Sequence, residues 1–292
     1  MDPVTKRLLL REMKPERAAD RLVRGGESVK NGCVRIGDTD MAYVSFGRGE
    51  RKLVVLPGLS DGLTTVSGKA LILSMPYRRF LRDNAIYMFS RKNDMPEGYT
   101  IEDMADDQAL AMEKMGIDRA CVLGVSQGGM IAQRLAIRHP RRVERLILAV
   151  TAPNANETVQ AVVSGWIDMA LRGDHAALMT DTAERMYSDA YLRKNRKLLP
   201  LLVRFTKPAR YDRFLINARA ILAFDARGEL AWIGCPTLIL AGSEDRTVGT
   251  EAAPELHRGI GGSELHVYDG LGHGAYEEAK DFYERVMAFC DR

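Results

Sequence analysis

The stretch Ala120-Cys121-Val122-Leu123-Gly124-Val125-Ser126-Gln127-Gly128-Gly129-Met130-Ile131 joins a continuous apolar run to a run of helix formers through the pentapeptide Gly124-Val125-Ser126-Gln127-Gly128. A short apolar run of this kind is what a strand buried on both faces looks like. The residues from Gly128 to Arg138 read as a helix that stops before His139-Pro140, because the residue before a proline is steered away from helical backbone. The pentapeptide matches Gly-x-Ser-x-Gly. The pattern is short and arises by chance; its weight comes from lying directly after a buried strand and directly before a helix. There, small residues let neighbouring backbone approach, and the serine sits on a tight, strained turn with its hydroxyl exposed. The helix N-terminus beyond it offers positive potential to developing negative charge. The plain alternative is a glycine-rich strand-to-helix turn with an incidental serine.

Five further runs share the style of 120–125: Leu53 to Leu56, Ala85 to Phe89, Arg145 to Val150, Thr237 to Ala241 and Leu265 to Tyr268. Helical patterns lie between several of them. Ile101 to Met115 carries Met104, Ala105, Gln108, Ala109, Met112 and Met115 at three- and four-residue steps, and Ala275 to Phe289 closes the chain. Ahead of these, Cys33 to Ile36 and Met41 to Phe46 alternate apolar and polar around Gly37-Asp38, the signal of an antiparallel hairpin. The first 24 residues read as a charged helical segment ended by Gly25-Gly26. Strand–helix alternation after a hairpin predicts an α/β fold with a mostly parallel, doubly wound sheet. The stretch between Val150 and Pro236 holds no strand of the same quality and reads as helices, with breaks near Gly173-Asp174, Leu199-Pro200 and Lys207-Pro208. The expected division is therefore a core of 1–153 and 229–292 with a helical lid inserted at 154–228.

A serine hydroxyl is a weak nucleophile until a base takes its proton. Of the five histidines, only His273, in Gly270-Leu271-Gly272-His273-Gly274, falls in a loop at the carboxyl end of an expected strand. His139, His175, His257 and His266 sit at a helix end, in the insertion, on a late helix and inside a strand. A base needs a carboxylate to orient its ring. Asp245, after the run 237–241, is the candidate; Glu244 is the near alternative, and Asp269 precedes His273 by four residues. Ser126, Asp245 and His273 follow the chain order of α/β-hydrolases and occupy loops after strands, where open α/β sheets place their sites. The expected oxyanion donors are the backbone N–H groups of Gln127, next to the serine, and of Leu59, in the loop Leu56-Pro57-Gly58-Leu59-Ser60-Asp61-Gly62.

These segments, together with Gly242-Ser243-Glu244-Asp245 and Gly272-His273, resemble the α/β-hydrolase superfamily, in particular its lid-bearing serine esterases. The resemblance extends from about residue 33 to the end and is weakest in the insertion. Pro57-Gly58 replaces the His-Gly of many relatives. Ser90 to Gly98 replaces a compact Asp-x-Arg-Gly-x-Gly loop, and no proline follows Asp245 closely. A serine at position 126 argues against the dehalogenases and epoxide hydrolases, which use an aspartate. The resemblance implies hydrolysis of a small carboxylic ester through an acyl-enzyme, with no cofactor and no metal. Thioesters, lactones, acyl transfer to another nucleophile, carbon–carbon bond hydrolysis and iminopeptidase action use the same serine, and a low-turnover ligand receptor can share the fold.

Composition narrows the partners. A net charge of +3 over 292 residues does not mark a nucleic-acid binder, so the expected partner is a small acyl substrate. No run of 18 apolar residues and no signal-type stretch follows Met1. The four cysteines, Cys33, Cys121, Cys235 and Cys290, form no close pair and read as reduced thiols; a cytoplasmic setting is expected. The insertion is basic in its second half, with Arg193, Lys194, Arg196, Lys197, Arg204, Lys207, Arg210, Arg213 and Arg219. This is either an attractor for an anionic acyl substrate or a solvated face. Trp166, Met169, Met179, Met186, Phe205, Phe214 and Phe224 are either acyl-pocket lining or packing.

Overall fold

The computed structural model describes residues 28–195, 203 and 206–292; the expected N-terminal helix lies outside them. Eight strands form one sheet: β1 (Val29–Ile36), β2 (Thr39–Gly47), β3 (Arg51–Leu56), β4 (Asn84–Lys92), β5 (Ala120–Val125), β6 (Val143–Ala149), β7 (Thr237–Gly242) and β8 (Glu264–Tyr268). Their order is β1-β2-β4-β3-β5-β6-β7-β8. The hairpin β1–β2 and the β2–β4 pair are antiparallel, and every pairing from β4 to β8 is parallel. The doubly wound α/β sheet expected from the sequence is thus the observed one.

The unbroken apolar runs have a direct cause. Val54, Leu56, Val122, Leu146, Leu148, Ile239 and Ala241 enter the core on one face of the sheet. Leu53, Val55, Cys121, Leu123, Ile147, Leu238 and Leu240 enter the core on the other. Successive side chains point to opposite faces, so a strand covered on both faces has no polar position to alternate with.

Helices cover both faces: α1 (Ala70–Ser74), α2 (Ile101–Lys114), α3 (Gln127–Arg138), α4 (Glu157–Leu171), α5 (His175–Met186), α6 (Asp189–Asn195), α7 (Asp212–Leu222), α8 (Ala252–Gly259), α9 (Ala275–Glu278) and α10 (Phe282–Cys290). α2 starts at a capping box, in which Thr100 Oγ1 accepts the Asp103 N–H and the Asp103 carboxylate accepts the Thr100 N–H. Its buried face is Met104, Ala105, Gln108, Ala109 and Met112, the residues whose spacing foretold it. The single closing helix expected over 275–289 is instead two, because Ala279 turns extended between α9 and α10. Helices α4 to α7 occupy the stretch between β6 and β7.

The expectation of four free thiols is corrected. Cys121 of β5 and Cys290 of α10 form a disulfide with Cα atoms 5.8 Å apart, across a sequence separation of 169. α10 packs Phe282, Val286 and Phe289 on the face of the sheet that Cys121 shares. Packing of distant segments thus makes the pair, and no spacing rule exposes it. Cys33 and Cys235 are free. Reduced thiols therefore no longer support a cytoplasmic setting for that pair. No helix among the described residues is long and apolar enough to cross a membrane.

Candidate active site

Ser126 stands between the end of β5 and the start of α3, with φ 54° and ψ −119°. A non-glycine residue with positive φ is held there at a cost of about 1–3 kcal/mol, offset by its surroundings. Its N–H donates to Ala149 O of β6 (2.9 Å), and its carbonyl accepts from Gly129 N (2.8 Å) and Thr151 Oγ1 (2.7 Å). The flanking glycines are steric requirements. A Cβ on Gly128 would lie 1.9 Å from Leu56 O, and one on Gly124 would lie 2.4 Å from Gly128 O. Only bare backbone lets α3 start this close to β3 and β5.

Three side chains converge at this turn. His273 Nε2 lies 2.9 Å from Ser126 Oγ, and His273 Nδ1 lies 2.8 Å from Asp245 Oδ2. Asp245 and His273 are 4% and 3% exposed, so no water competes for these bonds. Asp245 Oδ1 accepts the N–H groups of Thr247 (2.8 Å) and Val248 (3.0 Å), which fixes the carboxylate as an acceptor. The hydrogen-bond pattern assigns the ring proton to Nδ1 and leaves Nε2 as acceptor for the Ser126 hydroxyl. Such a chain can withdraw a proton from a serine as it attacks a carbonyl. Glu244 is not in it; its N–H donates to Leu271 O. Asp269 lies 3.5 Å from Ser243 Oγ and shapes the loop. The other histidines have partners elsewhere: His139 on Asp106, His175 on Thr206 and Tyr211, His257 on Ser263, and His266 against Tyr268.

Gln127 opens α3, so its N–H is one of the first-turn donors that a helix cannot satisfy internally. Leu59 opens the short turn Leu59–Gly62. Gly58, Leu59 and Ser126 line one cavity of about 270 Å³, and a Cβ on Gly58 would lie 3.3 Å from the Ser126 Cβ. Both amides thus belong to backbone beside the hydroxyl.

Behind this loop lies a network that sequence reasoning missed. Arg91, 2% exposed, donates its N–H to Asp61 Oδ2 (2.9 Å) and its Nη2 to Gln127 Oε1 (2.7 Å). Arg213 of α7 bonds Asp61 Oδ2 (2.8 Å), the Asp61 carbonyl and the Arg91 carbonyl (2.7 Å). Gln127 Nε2 donates to Asn217 O of α7 (2.9 Å). The inserted helix α7 is thereby clamped to both backbone segments beside Ser126. The partners are up to 152 residues apart, and no local signal pairs them. Burial alone would raise the Asp61 carboxyl; Arg213 and Arg91 outweigh it and hold it below its ordinary value. Asp61→Asn is expected to cost about 3–5 kcal/mol, because it leaves two guanidinium groups without a counter-charge in the interior, and chemical denaturation measures the loss. The depressed carboxyl sets the pH sense: this stabilisation is complete above the ordinary carboxylate value and lost as pH falls from there through the lowered value of the folded state.

Half of the cavity lining comes from the stretch between β6 and β7, with Trp166, Met179, Met186 and Phe214 among those residues. Met169 and Phe224 pack in or against the core, and Phe205 lies outside the described residues. Three of the basic residues are set against acidic groups. Arg213 holds Asp61, Arg210 pairs with Asp212 (2.6 Å), and Arg219 lies 3.7 Å from Glu97. Arg196, Lys197 and Arg204 lie outside the described residues. Among the described residues, no group of three or more His, Cys, Asp or Glu side chains is placed to hold a metal ion.

An eight-stranded, mostly parallel sheet with a serine on a strained strand-to-helix turn defines a class, and comparison with known proteins agrees. The family model for the alpha/beta hydrolase fold matches residues 87–280, and the chain belongs to that family. An AB hydrolase superfamily protein of Bacillus subtilis, YisY, is 31% identical over 206 residues, covering 68% of this chain and 76% of its own. A 2-hydroxy-6-oxononadienedioate/2-hydroxy-6-oxononatrienedioate hydrolase of Pseudomonas putida is 27% identical over 88% of this chain and 94% of its own. The crystal structure of MGS-M2, an alpha/beta hydrolase enzyme from a deep-sea metagenome, superposes with a TM-score of 0.80 at 22% identity, over 89% of this chain and 98% of that one.

Proposed function

We propose that the protein is a serine hydrolase that cleaves a small carboxylic ester through an acyl-enzyme. The observation that carries this reading is the unbroken hydrogen-bonded chain Asp245–His273–Ser126 opening into the cavity. Ser126 Oγ attacks the ester carbonyl while His273 Nε2 takes its proton, and Asp245 holds the ring and balances its cation. The Leu59 and Gln127 amides receive the oxyanion, each worth roughly 3 kcal/mol in the transition state. His273 then protonates the departing alcohol, and the same steps run again with water to free the acid. The insertion at 154–228 acts as a lid that supplies part of the pocket wall. The relatives named as hydrolases support the general class, and the small, largely apolar cavity favours a compact ester.

Fluorophosphonate labelling followed by peptide mapping tests this reading. A single adduct on Ser126, lost in His273→Ala, is the expected result. An unlabelled Ser126 in native, folded protein sinks the assignment.

A further inference from the structure

The two backbone amides beside Ser126 come from separate segments, Leu59 from the turn after β3 and Gln127 from the start of α3. An oxyanion needs both donors at hydrogen-bond distance at once, so the distance between the segments has to be held. Arg91, next to last in β4 and 2% exposed, touches both. Its N–H donates to Asp61 Oδ2 at 2.9 Å. The Asp61 N–H in turn donates to Gly58 O at 3.2 Å and closes the turn around Leu59. At its other end, Arg91 Nη2 donates to Gln127 Oε1 at 2.7 Å. Gln127 Nε2 donates to Asn217 O at 2.9 Å, so both ends of this buried amide are fixed, and with them the backbone that carries the Gln127 N–H.

Two features distinguish Arg91 from the partner of a plain ion pair. Its Nη1 stands 3.7 Å from Asp61 Oδ2, beyond hydrogen-bond reach, while its short, directed bond goes to a neutral amide. Apolar side chains of similar volume often match a buried ion pair in stability, but apolar contact is non-directional and would leave each segment to find its own position. A planar guanidinium imposes direction. Arg213 of α7 braces this strut, bonding the Arg91 carbonyl at 2.7 Å and Asp61 Oδ2 at 2.8 Å.

We infer that Arg91 is a positioning residue for the hydrolysis: its backbone N–H and its guanidinium together set the spacing of the Leu59 and Gln127 amides that receive the oxyanion. This inference rests on the serine-hydrolase reading and deepens it.

Two variants cut the strut at opposite ends. Arg91→Lys keeps the backbone bond to Asp61 and a positive charge, and replaces the fork that reaches Gln127 with a single ammonium. Gln127→Met keeps the backbone N–H and a side chain of similar length, and drops the tether. Each is expected to lower kcat on an activated butyrate ester by about 10–100-fold with KM within about twofold of the wild type, the split that marks an interaction made in the transition state. A trifluoromethyl ketone supplies a second readout. Ser126 Oγ adds to its carbonyl carbon, the carbonyl π pair moves to oxygen, and His273 takes the serine proton, so the adduct presents an oxyanion to the two amides. Its affinity should fall with kcat in both variants, while that of the matching methyl ketone stays unchanged. Arg134→Lys is the control for general loosening. Arg134 of α3 is buried and bonds Glu229 Oε1 (2.7 Å) and the Asp225 carbonyl (2.6 Å); its variant should lower the melting temperature and leave kcat alone.

An unchanged kcat in folded Arg91→Lys and Gln127→Met, a loss that falls on KM instead, or an equal loss in Arg134→Lys overturns the inference. If Arg91→Lys does not fold, Gln127→Met decides. Any of these results in a protein whose Ser126 takes the fluorophosphonate removes this inference alone. No labelling of Ser126 in the wild type removes the serine-hydrolase reading and this inference together.

Discussion

Replacing Ser126 with alanine is expected to lower kcat by about six orders of magnitude while leaving the melting temperature close to that of the wild type. The size follows from the way a serine, its base and its carboxylate act as a unit, so that losing the attacking atom forfeits the contribution of all three. The small effect on stability follows from the local structure. The backbone bonds of residue 126 run to Ala149, Gly129 and Thr151 and do not use the hydroxyl. Alanine keeps the Cβ and therefore the same strain at φ 54°. Hydrolysis of an activated butyrate ester, with a thermal melt as control, makes the measurement. Wild-type-like turnover in a folded Ser126→Ala protein removes Ser126 as the nucleophile.

Asp245→Asn is expected to reduce kcat on the order of 10⁴-fold with little loss of substrate affinity. The geometry gives the reason. Two backbone N–H groups, of Thr247 and Val248, point at Oδ1, so an asparagine must place its oxygen there. Its amide nitrogen then faces His273 Nδ1, where the carboxylate had accepted the Nδ1–H hydrogen bond. The ring is driven into the other tautomer, with N–H directed at Ser126 Oγ, and it can no longer receive the serine proton. Glu244→Gln and Asp269→Asn lack this geometry and should retain most activity. Steady-state kinetics on the three variants decides among the carboxylates; the loss falling on Glu244→Gln or Asp269→Asn instead would move the acid.

What the sequence disclosed and what it concealed divide along physical lines. Five of the six apolar runs were legible because burial on both faces excludes polar residues from most of a run, as in Thr237-Leu238-Ile239-Leu240-Ala241; the sixth, in β8, lies at the sheet edge and is partly exposed, with Val267 on the surface. The hairpin β1–β2 was legible because alternation and Gly37, at φ 60°, are local. Ser126, Asp245 and His273 could be singled out because each sits at the carboxyl end of such a strand. The order of the strands, the split of the closing helix at Ala279 and the Cys121–Cys290 bridge arise only when distant segments pack. So does the Asp61–Arg91–Arg213 clamp. Arg213 illustrates the difficulty: in sequence it is one of twelve basic residues in the insertion, and only the fold sets it against a buried aspartate.

The contact between Ser126 and His273 spans 147 residues, and β7 pairs with β6 only after the whole helical insertion has intervened. On a ribosome adding roughly 5–20 residues per second, the chain carries its serine turn for on the order of ten seconds before the histidine exists. The nascent chain lacks the Ser126–His273 contact throughout that interval. Over most of it, β6 is an unpaired edge, apolar on both sides, of the kind that other chains can pair with. That edge stays open until β7 emerges to pair with it.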